Sequence, residues 1–270
     1  MCGIVGAIAE RNIVPILVEG LRRLEYRGYD SAGVAVRQKD GTVGLRRTVG
    51  KVSQLDEKLA AEPLKGHIGV AHTRWATHGG VTEANAHPHV SGGRIAVIHN
   101  GIIENFQPIK NEMLAKGYVF ESETDTEVAA HLVYDFVSQG MDLVEAVGEA
   151  VKRFEGAYAL LVVDAQDPDR IVVTRVASPL VIGLGIGEIG GGIVGPVRQR
   201  QKLGAFGRQA PQFLGHEGHD RVQQSQQTLE DVDQRLARAA LCFCRRRLRL
   251  QHGFREFQVP VAEFVPRKFV

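Results

Sequence analysis

The second residue of the chain combines two groups that could do chemistry together. Once Met1 is removed, Cys2 carries both a thiol and a free α-amine. Such an amine has a reference pKa of about 7.7–8.0, so it is partly neutral at physiological pH and can act as general base to the thiol. The alternative is that Cys2 is a small buried residue that starts a strand. Position alone favours this alternative, so other segments must decide.

One such segment follows an apolar strand and reads Arg74-Trp75-Ala76-Thr77-His78-Gly79. The planar guanidinium of an arginine suits two-pronged binding of a carboxylate, and Trp75 beside it could form an apolar lid. The alternative is a solvated Arg74 next to a core tryptophan.

A third group lies farther along the chain, where Asn100-Gly101 leaves an apolar strand. It offers a side-chain amide and an unhindered backbone N–H, which suit an oxyanion hole, although Asn-Gly is also a common hairpin turn. Asp125, at a helix start, is either a favourable first-turn charge or, placed opposite Arg74, a site for the ammonium of an amino acid. Together with Cys2, these residues predict acyl transfer from the side-chain amide of an amino acid.

The elements that must position these residues follow from hydrophobic spacing. Thr124-x-x-Glu127 has the form of a capping box and opens a helix that runs to Gln139. Strands adjacent in sequence, with helices between groups of strands, predict α+β layers. Strands are predicted at 3–9, 31–37, 42–48, 68–73, 94–99, 157–163, 170–176 and 180–184, and helices at 13–24, 52–61, 106–116, 124–139 and 143–154.

Five long motifs in this order give the sequence a family resemblance. It resembles the glutaminase domain of glutamine–fructose-6-phosphate aminotransferase (isomerizing), a class-II glutamine amidotransferase that makes glucosamine-6-phosphate. The motifs are Cys2–Gly6, Leu24–Gly33, Thr73–Gly79, Ile98–Asn105 and Ser122–Glu127.

The resemblance implies an α+β fold of the N-terminal nucleophile hydrolase type, a four-layer αββα sandwich of antiparallel sheets. It implies L-glutamine as substrate, and fructose-6-phosphate only for the full-length family enzyme. Cys2 is then the nucleophile, and Asn100 and Gly101 form the oxyanion hole. No cofactor and no metal are expected.

The same resemblance assigns the substrate contacts. Arg74 and Asp125 are expected to hold the α-carboxylate and the α-ammonium of glutamine. Thr77 and His78 are expected to line the site in a closing loop, and Trp75 to gate the path of ammonia.

The resemblance covers residues 1–188 and then stops. Up to Glu188 the chain carries a small acidic excess, whereas residues 189–270 are basic and rich in Gln and Arg. We therefore expect a glutaminase domain at 1–188 that lacks its last strands, with an unfinished sheet edge near Leu180–Leu184. The atypical tail at 189–270 is either the product of a reading-frame shift, disordered, or a genuine basic appendage, and sugar-isomerase domains are expected to be absent.

Composition limits the remaining classes. Hydrophobic residues make up 44% and charged residues 24% of the chain, which is ordinary for a globular protein. No apolar run reaches the ~18 residues of a membrane span, and no basic stretch precedes the first apolar segment. Three cysteines, two of them at Cys242 and Cys244, do not form a secreted disulfide framework. A cytoplasmic protein without a membrane partner is expected.

Other signals carry less weight. Gly185-x-Gly187-x-x-Gly190 has the glycine spacing of a dinucleotide-binding fingerprint. That fingerprint requires a helix directly after it, and further glycines stand there instead. The histidines between His67 and His99 lack the spacing of a zinc motif. Arg245–Arg249 is an unstructured charged run rather than a nucleic-acid site. Two rival interpretations stay open: an inactive fragment whose basic tail binds anions nonspecifically, and the glutaminase domain of another class-II enzyme such as amidophosphoribosyltransferase.

Overall fold

The computed structural model describes residues 2–178, 180–185, 188–193 and 261–264, all of which belong to one compact unit. Helices α1 to α5 span Val14–Leu24, Val52–Ala61, Phe106–Ala115, Asp125–Ser138 and Leu143–Val151. Strands β1 to β11 span Gly3–Ala9, Ser31–Arg37, Val43–Val49, Ile68–Arg74, His89–Ser91, Ile95–Ile103, Gly156–Asp164, Ile171–Val176, Val181–Gly185, Glu188–Ile193 and Val261–Phe264. A 3-10 turn, Glu25–Arg27, follows α1.

The strands form two antiparallel sheets. Sheet I has the order β3-β2-β4-β1-β10-β9, and sheet II has the order β11-β8-β7-β6-β5. Every strand pair is antiparallel. Because β1 pairs with β4 and β4 with β2, the first residues of β1 lie beside the last residues of β4.

The sheets stack face to face and helices cover both outer faces. In β7, Leu161 and Val163 pack into a core between the sheets, whereas Leu160 and Val162 pack against α3, α4 and α5. This alternation follows from the two-residue period of a strand, so a strand buried on both faces is apolar throughout.

Helices α1 and α2 cover sheet I in the same way. Leu17, Leu21 and Leu55 are fully buried in a core that also contains Val34 of β2. Burying a leucine side chain is worth about 1.5–3 kcal/mol, so this apolar face holds both helices on the sheet. The result is a four-layer αββα sandwich, and the fold predicted from the family resemblance is confirmed.

Most predicted elements agree with the structure to within a few residues, with two local differences. The alternative of a hairpin turn at Asn100-Gly101 is excluded, because β6 continues through it to Ile103. Thr124 is the N-cap of α4, yet its hydroxyl contacts Ser122 and His89 rather than the helix backbone. The predicted capping box therefore does not form, because buried side chains compete for the Thr124 hydroxyl.

Sheet I extends beyond the predicted boundary. Glu188–Ile193 pairs with β1 on one side and with β9 on the other, so the segment near Leu180–Leu184 forms an edge strand. Val261–Phe264 pairs with β8 in sheet II. The remaining tail predictions, including Cys242, Cys244 and Arg245–Arg249, lie outside the described residues. A lack of further strands in this domain stays a prediction.

Candidate active site

Cys2 directly precedes β1, and the first residues of β1 lie beside the last residues of β4. Gly3 pairs with Thr73 in the β1–β4 register, and the Gly3 N–H donates to Thr73 Oγ1 at 3.2 Å. The chain beyond β4 then passes the thiol, and the Trp75 N–H donates to Cys2 Sγ at 3.4 Å. Burial raises the pKa of the Cys2 thiol, and this N–H opposes the rise only in part. The thiol is therefore protonated at neutral pH, and its attack on a substrate needs a base.

Arg74, the last residue of β4, is only 3% exposed. Its guanidinium donates to the carbonyl oxygens of His78 at 2.5 Å, Gly79 at 3.2 Å and Gly80 at 3.1 Å. It also lies 3.6 Å from the Asp30 carboxylate. The guanidinium therefore shapes the loop that follows β4.

That loop is anchored to the segment before α4. The Gly80 N–H donates to Glu123 Oε2 at 3.1 Å, and the Asn85 side-chain amide donates to Gly80 O and Glu123 Oε2, each at 3.0 Å. Since Glu123 is two residues before Asp125, these bonds bring the loop carrying Trp75, Thr77 and His78 close to the start of α4.

Asn100 and Gly101 lie inside β6, two to three residues before that strand ends at Ile103. Asn100 shares a strand face with Ile98, which packs between the sheets. His72, one residue before Thr73, contacts the carbonyl of His99 through Nε2 at 2.8 Å. This contact ties β4, which precedes Trp75 and its bond to Cys2, to β6 next to Asn100.

Gly101 occupies a position where any side chain would strain the backbone and meet the neighbouring strand. Its φ is +133°, and a Cβ at this position would lie 2.1 Å from the carbonyl oxygen of Ala157 on the neighbouring strand. Glycine alone tolerates both the positive φ and the close approach of the Ala157 carbonyl, and it leaves the backbone next to Asn100 accessible.

Asp125 is the first residue of α4 and is 4% exposed. Its Oδ2 accepts the Ile103 N–H at 2.8 Å, and its Oδ1 lies 3.8 Å from His99 Nδ1. The carboxylate thus contacts β6 on both sides of Asn100-Gly101. The structure brings Asp125 to the strand that carries the predicted oxyanion donors.

The other loop residues differ in exposure. Trp75 is 52% exposed, and its indole lies over Gly28, while Thr77 is exposed. The His78 ring packs edge-on against Phe106 at 5.4 Å between centroids, which places His78 near the start of α3.

Asp30 belongs to this site and escaped the sequence analysis. Its carboxylate lies beside Arg74, accepts the Ala76 N–H and accepts the Ser31 hydroxyl at 2.9 Å. It therefore holds the backbone that presents the Trp75 N–H to Cys2. Asp30 is inside the Leu24–Gly33 motif, but its contacts depend on the pairing of Ser31 with Arg74 across β2 and β4, which the sequence does not give.

Several histidines of the 67–99 stretch lie inside the fold. His72, His87, His89 and His99 are buried, and burial lowers the pKa of each. They are therefore neutral at physiological pH. Within the described part of the chain, no group of three or more His, Cys, Asp or Glu is placed to hold a metal ion, and no helix there is long and apolar enough to span a bilayer.

Comparison with solved structures defines the class. The glutamine phosphoribosylpyrophosphate amidotransferase from B. subtilis, complexed with ADP and GMP, aligns with a TM-score of 0.61 at 24% identity, over 71% of this chain and 41% of that one. A structure described as the allosteric regulatory enzyme of purine biosynthesis aligns with the same TM-score at 26% identity, over 71% and 42%. The fold is that of an N-terminal nucleophile hydrolase.

Sequence comparison then gives the family. Residues 72–182 match the family model of the glutamine amidotransferase domain. Glutamine–fructose-6-phosphate aminotransferase (isomerizing) of Pseudomonas aeruginosa is 61% identical over 188 residues, and that of Pseudomonas putida is 58% identical. Each alignment covers 70% of this chain. The N-terminal part of the chain belongs to the class-II glutamine amidotransferase family, with these aminotransferases as relatives. The chain spans 31% of their length.

Proposed function

We propose that this domain hydrolyses L-glutamine to glutamate and ammonia with Cys2 as nucleophile. The observation that carries the proposal is the hydrogen bond from the Trp75 N–H to Cys2 Sγ, which sets the thiol beside Arg74 at the junction of β1 and β4. Burial holds the thiol protonated, so it needs a base. Removal of Met1 frees the α-amine of Cys2 itself to be that base.

The reaction follows from these groups. The Cys2 thiol gives its proton to the α-amine, and the sulfur attacks the δ-carbon of glutamine. The Asn100 side-chain amide and the Gly101 N–H donate to the oxyanion that forms. The carbon–nitrogen bond then breaks, the α-ammonium returns a proton to the departing ammonia, and a thioester remains. Water, deprotonated by the same amine, attacks the thioester carbon, the carbon–sulfur bond breaks to release glutamate, and the α-ammonium returns the proton to the Cys2 sulfur.

Recognition of the amino-acid end is assigned to two charged residues. Arg74 binds the α-carboxylate and Asp125 binds the α-ammonium, while Trp75, Thr77 and His78 close over the substrate. In the structure the Arg74 guanidinium holds the carbonyls of the loop at 78–80, so substrate binding and loop conformation are linked through this one side chain.

Release of ammonia from glutamine is the amide-donor half of glucosamine-6-phosphate synthesis. The names of the relatives include fructose-6-phosphate, which would accept this ammonia. Those relatives are about three times as long as the part that they share with this chain. Identity of 55–61% to them, against 24–26% to the purine enzymes, favours this pathway over amidophosphoribosyl transfer. We expect the chain alone to release ammonia without making glucosamine-6-phosphate.

The test is an assay of purified chain with glutamine, with and without fructose-6-phosphate, for glutamate, ammonia and glucosamine-6-phosphate. Mass spectrometry should find Met1 absent and one glutamine-analogue electrophile on Cys2. Cys2→Ala should abolish both turnover and labelling, whereas Cys242→Ala is the matched control and should change neither.

Two outcomes would contradict the proposal. Labelling at Cys242 or Cys244 in preference to Cys2 would overturn the nucleophile. A folded chain that neither releases glutamate nor takes the label would instead support the rival interpretation, an inactive fragment.

A further inference from the structure

A buried hydroxyl joins the elements that carry the proposed site. Thr126, the second residue of α4, is fully buried. Its Oγ1 lies 2.7 Å from His87 Nε2, 2.9 Å from His99 Nδ1 and 3.5 Å from Asp125 Oδ1. We infer that Thr126 is a positioning residue, whose hydroxyl fixes the His99 ring and through it the placement of Asp125 against the strand of Asn100. This inference rests on the proposed glutaminase function.

Proton counting shows why the hydroxyl fixes the rings. A threonine hydroxyl has one proton and two lone pairs, so it can donate to the Asp125 carboxylate and accept from both imidazoles. The Asp125 carboxylate lies 3.8 Å from His99 Nδ1 and favours a proton on that nitrogen. His99 Nδ1–H therefore donates to Thr126 Oγ1. His87 donates to the same oxygen through Nε2–H, because its Nδ1 is buried without a hydrogen-bond partner and a proton there would be unsatisfied. His99 is then held as the Nδ1–H tautomer and His87 as the Nε2–H tautomer.

The same rings connect the strands beneath the site. The His99 carbonyl receives a hydrogen bond from His72 Nε2 at 2.8 Å, so His99 is held by β4 through its backbone and by α4 through its ring. His87 stacks on His72 with 4.2 Å between ring centroids. Each connection lies one or two residues from a proposed site residue: His72 from Arg74, His99 from Asn100, and Thr126 from Asp125.

The decisive variant is Thr126→Val, which removes the hydroxyl and keeps the shape of the side chain. It leaves imidazole nitrogens facing a methyl group, so the His99 ring loses its defined orientation. We expect glutaminase kcat/KM to fall by roughly tenfold or more, with a lower kcat and a higher KM, because both the oxyanion donors and Asp125 shift. Thr126→Ser keeps the hydroxyl and should restore most of the activity.

A matched control separates positioning from stability. Thr124 is also buried at the same helix start, but its hydroxyl bonds instead to His89 Nε2 at 2.9 Å and to Ser122 Oγ at 3.0 Å. Thr124→Val should lose a comparable amount of stability, measured by thermal unfolding, while its kcat and KM stay near those of the unmodified chain.

A readout independent of turnover is the nitrogen-15 NMR spectrum of the imidazoles in the full chain. The unmodified chain should show His99 as the Nδ1–H tautomer and His87 as the Nε2–H tautomer, and Thr126→Val should change that assignment. Unchanged kcat and KM in folded Thr126→Val, or an Nε2–H tautomer at His99 in the unmodified chain, overturns the inference. If Thr126→Val does not fold, Thr126→Ser kinetics and the spectrum of the unmodified chain decide. Failure of the unmodified chain to take the glutamine-analogue label at Cys2 would instead refute the proposed function.

Discussion

The indole of Trp75 packs directly on the backbone of Gly28: a Cβ built on Gly28 would lie 2.7 Å from Trp75 Cζ3. Gly28 follows the 3-10 turn after α1, and its φ is +73°. The half-exposed Trp75 indole therefore occupies the space that a side chain at residue 28 would fill. Since the N–H of Trp75 donates to Cys2, displacement of this residue reaches the proposed nucleophile.

The first prediction is that Gly28→Ala displaces Trp75. Because Trp75 is the one tryptophan of the chain, the intrinsic fluorescence reports its position. We expect an altered emission maximum and a higher KM for glutamine.

Gly41→Ala is the matched control, since Gly41 has a φ of +81° but no atom within 4 Å of the place that a Cβ would take. It should show a similar strain cost, about 1–2 kcal/mol, with unchanged emission. Equal emission and KM in both variants would refute the link between Gly28 and Trp75.

The second prediction is that Arg74→Lys binds glutamine much more weakly. Lysine keeps the charge but loses the two-pronged geometry, and it cannot reach the three carbonyls of His78, Gly79 and Gly80 at once. Loss of a charged hydrogen bond costs about 1.5–3 kcal/mol, so KM should rise roughly tenfold to a hundredfold or more. Steady-state kinetics measure this.

The control for that variant is Arg23→Lys on the exposed face of α1, where Arg23 pairs with Glu19. It should leave KM and kcat unchanged. Kinetics of Arg74→Lys that match those of the unmodified chain would show that Arg74 does not bind the substrate carboxylate.

The third prediction concerns Gly101 and stability. Gly101→Ala would set a Cβ 2.1 Å from the Ala157 carbonyl in a backbone conformation that alanine disfavours. We expect a loss of about 2 kcal/mol or more in the free energy of unfolding. Gly148→Ala in α5, where nothing lies within 4 Å, should be neutral or stabilise by up to about 1 kcal/mol. Denaturant titration of both variants tests the difference, and a small cost at Gly101 would contradict the close β6–β7 approach.

The sequence predicted more of the fold than of the site. Apolar alternation located strands such as Gly3–Ala9 and Ser31–Arg37, and the motifs named Cys2 and Asn100. Two features could not be predicted. The Asp30–Arg74 pair depends on the register of β2 with β4, and the Thr126 hydroxyl meets histidines that are distant in sequence. Local patterns determine which element a residue joins, whereas pairing register and burial determine its partners.

The last prediction is that stability falls with acid between about pH 6.5 and pH 3. Burial lowers the pKa of His72 to about 3, and it lowers the pKa of His87 well below its usual value. An unfolded histidine titrates near pH 6.5. As the pH falls below that value, the unfolded chain binds protons that the native chain does not bind. Each such histidine therefore costs about 1.4 kcal/mol of stability per pH unit. Above about pH 6.5 these rings are neutral in both the native and the unfolded state, so their contribution to stability is constant.

Urea titrations at pH 8, 6.5, 5.5 and 4.5 should therefore show a flat region followed by a steep decline. His72→Gln should reduce the slope of that decline whatever it does to stability at pH 8, and His67→Gln at an exposed histidine is its control. A slope that His72→Gln leaves unchanged would show that His72 is not held neutral in the native state.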